Sequence, residues 1–241
     1  MKLFAFVAHM LRGLFAVIMI ASAAPAQEVV CLGDSLTACD NLPLETRWTY
    51  LLEQRLGSGA RVSGLGMGGT TMLSGTDSPY LESGTWRAGS AMDADVAIVI
   101  LGTNDTVQGT RRCWDQVAHL EDDVGALLAA VGERFGKARV LLCSPPPMFA
   151  TKGGLSPERA ADLAERAPRL DQVSSAYRSI AAATDGVEFV DLSRVLDASQ
   201  VTDGVHLTPF GSEAIADHLA DLLRVVVDPA PPSIDQGLRQ L

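Results

Sequence analysis

The sequence predicts an α/β fold, a three-layer sandwich in which a five-stranded parallel sheet is covered by helices on both faces. Two observations predict it. Five short apolar runs, rich in valine, isoleucine and leucine, recur along the chain, and apolar residues at helical spacing lie between them. Strand and helix therefore alternate along the chain, and parallel neighbours need such crossovers. The chain has 241 residues, which at roughly 150 residues per domain favours one domain of generous size.

The elements follow in order. Val29 to Leu32 ends at Gly33 and reads as the first strand. Trp48, Leu51, Leu52 and Leu56 recur at helical spacing, and Gly57 stops that helix. Arg61 to Leu65 is a weaker second strand, followed by a glycine-rich loop. Val96 to Leu101 is continuous and β-branched, as a strand buried on both faces should be. Trp114, Val117, Leu120, Val124, Leu127, Leu128 and Val131 mark a long amphipathic helix. Val140 to Cys143 is the fourth strand, stopped by three prolines. Leu170, Val173, Tyr177 and Ile180 give a helix, Val187 to Leu192 the fifth strand, and Pro209 to Val226 a last helix with proline in its first turn.

Residues 1–26 read as a secretory signal peptide rather than part of the fold. Lys2 and Arg12 precede the apolar run Leu14 to Ala24, and Ala24-Pro25-Ala26 offers a cleavage site. An uncleaved anchor is the alternative, because Phe4 to Met10 extends the apolar stretch. Cleavage would leave 17 basic residues against 29 acidic, a net charge of −12 instead of −10. The domain is then residues 27–228, with 229–241 a proline-containing tail, and the protein is expected to be exported, to a periplasm or beyond. The acidic balance argues against nucleic acid and against docking on anionic lipid. No stable membrane association is expected after cleavage.

In an open parallel sheet, ligands bind at the carboxyl ends of the strands. Chemistry-bearing residues stand at four such ends. Gly33-Asp34-Ser35-Leu36 follows the first strand, and a serine at a strand-to-helix turn exposes its hydroxyl. Read alone, Asp34 or Ser35 would merely cap the helix. Asp203-Gly204-Val205-His206 follows the fifth strand, and Asp and His three apart can meet, the carboxylate fixing the imidazole tautomer. Read alone, the pair is equally a surface acid and a structural histidine. His119 and His218 sit among charged residues in helices and read as solvated. Gly64 to Gly69 follows the second strand and lets backbone N–H groups approach a ligand, or is simply a flexible turn. Gly102-Thr103-Asn104-Asp105 follows the third, with Asn104 an amide donor or a turn residue.

Together the four blocks resemble the SGNH (GDSL) hydrolase superfamily, whose blocks carry Ser, Gly, Asn and His. The resemblance covers about residues 28–226, and Leu207, Thr208 and Gly211 also stand in familiar positions. It implies the flavodoxin-like strand order 2-1-3-4-5. It implies Ser35 as nucleophile, His206 as base, Asp203 orienting His206, and an oxyanion hole of Ser35, Gly69 and Asn104, with Gly69 preferred over Gly68. It implies no metal and no organic cofactor. Many relatives have Asn where this chain has Gly64. Gly69 to Leu73, Ser78 to Tyr80 and Leu142 to Pro147 are similar to carbohydrate O-acetylesterases of the superfamily, the sialate O-acetylesterase-like group included. That implies a serine esterase acting on short-chain, acetyl esters of a small molecule or glycan. A lysophospholipase or arylesterase is the alternative in the same fold, and a non-catalytic carbohydrate-binding relative the alternative in another class.

Tyr80, Trp86 and Phe149 follow strand ends and are candidates to line the substrate pocket; Tyr80 and Trp86 would otherwise pack their own loop. The family strand order separates Cys31 and Cys143 by two strand spacings, about 9–10 Å, too far to bridge. Cys39 and Cys113 both follow strand ends on the active face and are expected to form the one disulfide.

Overall fold

The computed structural model describes residues 26–227. The expected signal peptide and tail lie outside the described residues. Strands β1 (Gln27–Gly33), β2 (Ala60–Gly66), β3 (Val96–Ile100), β4 (Arg139–Cys143) and β5 (Val187–Val190) form one parallel sheet in the order β2-β1-β3-β4-β5. Helices α1 (Ser35–Ala38), α2 (Trp48–Leu56), α3 (Gly84–Ala88), α4 (Leu120–Phe135), α5 (Pro157–Ala183) and α6 (Pro209–Val227) connect and cover it.

The period of two along the strands divides the core. Val29, Cys31, Ile98, Ile100, Leu141 and Cys143 face one side, against Trp48 and Leu52 of α2 and Ile215, Leu219 and Leu223 of α6. Val30, Leu32, Ala97, Val99 and Leu142 face the other, against Val124, Leu127 and Val131 of α4 and Val173 and Tyr177 of α5. The central strand β3 is buried at every position, which is why its sequence is apolar without alternation.

Several expectations are corrected here. Tyr80 and Trp86 are core residues, 1% and 7% exposed, and do not line a substrate pocket. The Tyr80 hydroxyl donates to the Leu65 carbonyl at 2.6 Å, and its ring meets Trp86, whose other neighbours are Phe135 and the Arg134 guanidinium. The loop between β2 and β3 needs these rings because it covers one face of the sheet. Residues 157–169 form the first half of α5, whose Ser156 hydroxyl caps it by accepting the Arg159 N–H. The helix expected from Trp114 opens instead with a 3-10 turn over Cys113–His119.

The expected Cys39–Cys113 disulfide is absent: all four cysteines are free and buried. The two sit among different residues. Cys39, in the left-handed conformation that ends α1, packs among the residues beneath α2 and α6, with its Sγ 3.1 Å from the Leu36 carbonyl. Cys113 begins the 3-10 turn that leads into α4, with its Sγ 3.9 Å from the Arg111 carbonyl.

Candidate active site

β1 ends at Gly33, and Asp34 caps α1: its Oδ1 accepts the Leu36 N–H at 2.9 Å. The cap places Ser35 as the first helical residue, half-buried, directly off the strand end. Gly66 at the end of β2 allows α1 to sit this close, since a Cβ there would lie 2.1 Å from the Ala38 nitrogen. From Gly66 the chain turns over Ser35. Met67 N–H donates to the Gly33 carbonyl at 2.9 Å, Thr70 N–H closes the turn on the Met67 carbonyl at 3.3 Å, and Gly69 has φ +82°. A Cβ on Gly68 would lie 3.8 Å from Ser35 Cβ, so the turn is in contact with the serine.

The turn after β5 supplies the next groups. Thr202 N–H donates to the His206 carbonyl at 2.7 Å and closes a tight loop. Inside it, Asp203 Oδ1 accepts the backbone N–H groups of Val205 and His206 at 3.1 and 2.8 Å, and Oδ2 lies 2.9 Å from His206 Nδ1. Gly204 is required: φ is +84°, and a Cβ would lie 2.4 Å from Leu163 Cδ1. The Gly204 carbonyl accepts the N–H of Phe149, which is half-buried at the edge of this turn. The other ring nitrogen, His206 Nε2, stands 3.0 Å from Ser35 Oγ. Burial alone would raise the Asp203 carboxyl, but the backbone N–H and ring of His206 and the Val205 N–H outweigh it and hold it at about 2. A hydroxyl, an imidazole and an ionised carboxylate are thus in line, an arrangement able to move a proton off the serine.

Asn104 lies in a single turn at the end of β3. Its amide nitrogen donates to the Thr70 carbonyl at 3.0 Å and lies 3.4 Å from Asp34 Oδ2. The structure thus brings Ser35, Asp203, His206, Asn104 and the Gly68–Gly69 turn to one place. His119 and His218 are exposed on helices elsewhere. Gly64 lies outside the cluster, in the wall of a separate cleft of about 220 Å³ with Thr49, Tyr50 and Arg47. A Cβ at Gly64 would meet Thr49 Oγ1 at 3.3 Å.

Two groups that sequence reasoning passed over hold the cluster. Asp105 is fully buried and accepts the N–H groups of Met72 and Leu73 at 3.1 and 2.8 Å, tying the glycine loop to β3. Burial pushes its carboxyl up to about 6, and pushes that of Asp34, with Asp105 nearby, up to about 7. Arg111 donates through Nη2 to the Gly69 carbonyl at 2.9 Å and is itself held by Asp77. No signal in the sequence marks Arg111. Among the described residues no group of three or more His, Cys, Asp or Glu side chains is placed to hold a metal ion, and no helix is long and apolar enough to cross a membrane.

Residues 31–214 match the model of the GDSL-like lipase/acylhydrolase family. The chain belongs to that family. The chain is 25% identical over 221 residues to an acetylxylan esterase of Xylanibacter ruminicola, a match covering 83% of this chain and 43% of that one. This family member therefore spans less than half the length of the curated relative it matches. Among solved structures it resembles a carbohydrate acetylesterase from Sinorhizobium meliloti, with a TM-score of 0.62 and 23% identity over 83% of this chain and 99% of that one. It also resembles a putative arylesterase from Agrobacterium tumefaciens, with a TM-score of 0.58 and 27% identity over 83% of this chain and all of that one. These likenesses show a shared fold.

Proposed function

We propose that this GDSL-like protein is an exported serine esterase that removes short acyl groups, acetyl first among them, from carbohydrate alcohols. One observation carries the reading: Ser35 Oγ, His206 Nε2, His206 Nδ1 and Asp203 Oδ2 connect through contacts of 3.0 and 2.9 Å, beside the amide of Asn104. Ser35 attacks the ester carbonyl as His206 takes its proton, and Asp203 stabilises the imidazolium. The tetrahedral oxyanion accepts the backbone N–H groups of Ser35 and Gly69 and one amide hydrogen of Asn104. The bond to Thr70 fixes the plane of that amide, and the oxyanion displaces only its longer contact to Asp34. His206 then protonates the leaving alcohol. Water attacks the acyl-serine with His206 again as base, giving the acid and free Ser35.

The acetyl and carbohydrate parts are supported by the names of the acetylxylan esterase and the carbohydrate acetylesterase. The arylesterase likeness favours a second reading, in which simple aryl esters are the substrates. Hydrolysis of p-nitrophenyl acetate, butyrate and octanoate, with acetylated xylan beside them, separates the two. Acetyl release from xylan with a preference for the shortest aryl ester is the expected result. Inert xylan with good aryl-ester turnover would favour the second reading. Export rests on residues 1–26, and N-terminal sequencing of the protein recovered outside the cytoplasm tests it, with Gln27 expected as the first residue.

A further inference from the structure

Three charged residues on the first half of α5 connect the two turns that bring the site together. Arg159, Asp162 and Arg166 follow one another at three and four residues, so they share a face of the helix. At one end Arg159 Nη2 lies 3.4 Å from Asp203 Oδ2, and its Nε is 3.4 Å from the Asp203 carbonyl. In the middle Asp162 Oδ2 receives both Arg159 Nη1 at 3.0 Å and Arg166 Nη1 at 3.2 Å. At the far end Arg166 donates through Nη2 to the Thr103 carbonyl and through Nε to Thr106 Oγ1, each at 3.0 Å. Thr103 and Thr106 flank Asn104. Arg169, one turn on, adds a bond to the Thr106 carbonyl at 2.6 Å.

A side chain of this kind is costly to place for stability alone. The Arg166 side chain is only 8% exposed, and burial lowers its proton affinity. Buried ion pairs are often no more stabilising than apolar residues of the same shape, so what they supply is a fixed geometry. Here each of the three Arg166 nitrogens has its own partner, and the planar fork of arginine spreads its donors over three separated acceptors in fixed directions, a span that the single ammonium nitrogen of a lysine does not cover.

We propose that Arg159, Asp162 and Arg166 form a positioning strut that sets the Asp203–His206 turn at a fixed distance from Asn104, with Arg166 its principal positioning residue. The proposal rests on the serine-esterase reading above. None of the three bonds to Ser35 or His206; in the site Arg159 reaches only Asp203, behind the histidine. They act by holding the base and the oxyanion donor in register on two separate loops.

The test is steady-state hydrolysis of p-nitrophenyl acetate by Arg166→Lys, Arg166→Gln, Asp162→Asn, Arg159→Gln and the Arg159→Gln/Arg166→Gln double variant, with urea unfolding of each. Arg178→Gln, which breaks an exposed pair with Asp191 farther along the same helix, is the control and should leave kcat unchanged. Misplacing catalytic groups by an ångström or less costs up to about a hundredfold. The expected result is a fall in kcat of about 10- to 100-fold for both Arg166 variants, with KM within about twofold and the protein still folded. Lysine should fail to rescue. The double variant should lose less than the product of its single variants, because one break already uncouples the turns. Unchanged kcat in folded variants, rescue by Arg166→Lys, or losses that simply multiply would overturn the strut. Ser35→Ala run alongside keeps the underlying reading separate: if it retains activity, the nucleophile assignment falls whatever the helix variants do.

Discussion

Asp203 divides its two oxygens between the backbone and the ring of a single residue: Oδ1 accepts the His206 N–H at 2.8 Å while Oδ2 lies 2.9 Å from His206 Nδ1. One carboxylate therefore both folds the turn and selects the tautomer. Asp203→Asn separates those duties. Its Oδ1 still accepts the backbone N–H, but its amide nitrogen faces Nδ1 and favours the tautomer that leaves Nε2 protonated and unable to take the serine proton. The expected loss in kcat/KM is three to four powers of ten, roughly, with the fold retained. Ester hydrolysis and urea unfolding check it, and a loss below tenfold would remove Asp203 from the role.

The same carboxylate gives an acid-side dependence of stability. Its folded-state value is lowered to about 2, so the unfolded chain binds the proton first as pH falls. The contribution is complete above about pH 4 and disappears as pH drops through 2. Because the Asp203 side chain is 43% exposed, solvent screening holds its size to about 1 kcal/mol.

Asp34 works in the opposite direction. Burial, with Asp105 nearby, raises its carboxyl from 3.8 to about 7, against the opposing Leu36 N–H. Between those values the folded protein keeps a proton that the unfolded chain has released, so stability falls as pH rises through this window. About two units of the window lie between pH 5 and 8, which corresponds to a loss on the order of 2 to 3 kcal/mol. Asp34→Asn preserves an acceptor for the Leu36 N–H and removes the titration. Its unfolding free energy should be flatter over that range, with a residual slope from Asp105, which is raised to about 6. Urea titrations at pH 5, 6.5 and 8 decide it; parallel slopes for wild type and variant would rule the explanation out.

What the sequence made legible was whatever is local. Val96 to Ile100 has to be a buried strand, because five apolar, mostly β-branched residues in a row exceed what one face of a surface helix can hide. The Ser35, Asn104 and His206 blocks could be read because each follows a strand end, where a parallel sheet exposes its ligand-binding edge. The first half of α5 was not legible. Pro168 interrupts its periodicity, and its inward-facing residues include Arg166, which reads as a solvent-facing charge until Thr103 and Thr106 are seen beside it. Tyr80 and Trp86 were misplaced for a similar reason. An aromatic in a loop looks available to substrate unless the loop is known to cover the sheet. The cysteine pairing failed because following a strand end puts two cysteines near one edge of the sheet without bringing their sulfurs together.

Arg111 gives a prediction about the glycine turn. Its Nη2 donates to the Gly69 carbonyl at 2.9 Å, and the neighbouring peptide orients with it. Hydrogen bonding to Asp77 raises the proton affinity of Arg111 and lowers that of Asp77, so the pair is charged throughout the working range. Arg111→Met keeps the apolar stem and removes the donor. If Gly69 supplies an oxyanion N–H, kcat should fall by about tenfold with KM little changed, since the lost restraint acts on a transition-state contact. Steady-state kinetics on p-nitrophenyl acetate reads both values. A rise in KM at constant kcat would instead place Arg111 at the substrate.

The four cysteines give the last prediction. Each is buried and free, and each thiol is shifted upward, with burial the largest cause; for Cys39 the value reaches about 12. The thiolate is the reactive species, so at pH 8 almost none of Cys39 is nucleophilic even when reagent reaches it. Cys31 and Cys143 lie under the sheet face that α2 and α6 cover, and reagent reaches them only through unfolding. Folded, unreduced protein should therefore give less than about one fast thiol with Ellman's reagent, and the same sample in denaturant should give all four. Because all four thiols are free, dithiothreitol should leave the unfolding midpoint unchanged. Two thiols after denaturation, with a midpoint that drops on reduction, would show that Cys39 and Cys113 do meet and that the loops carrying them are arranged differently.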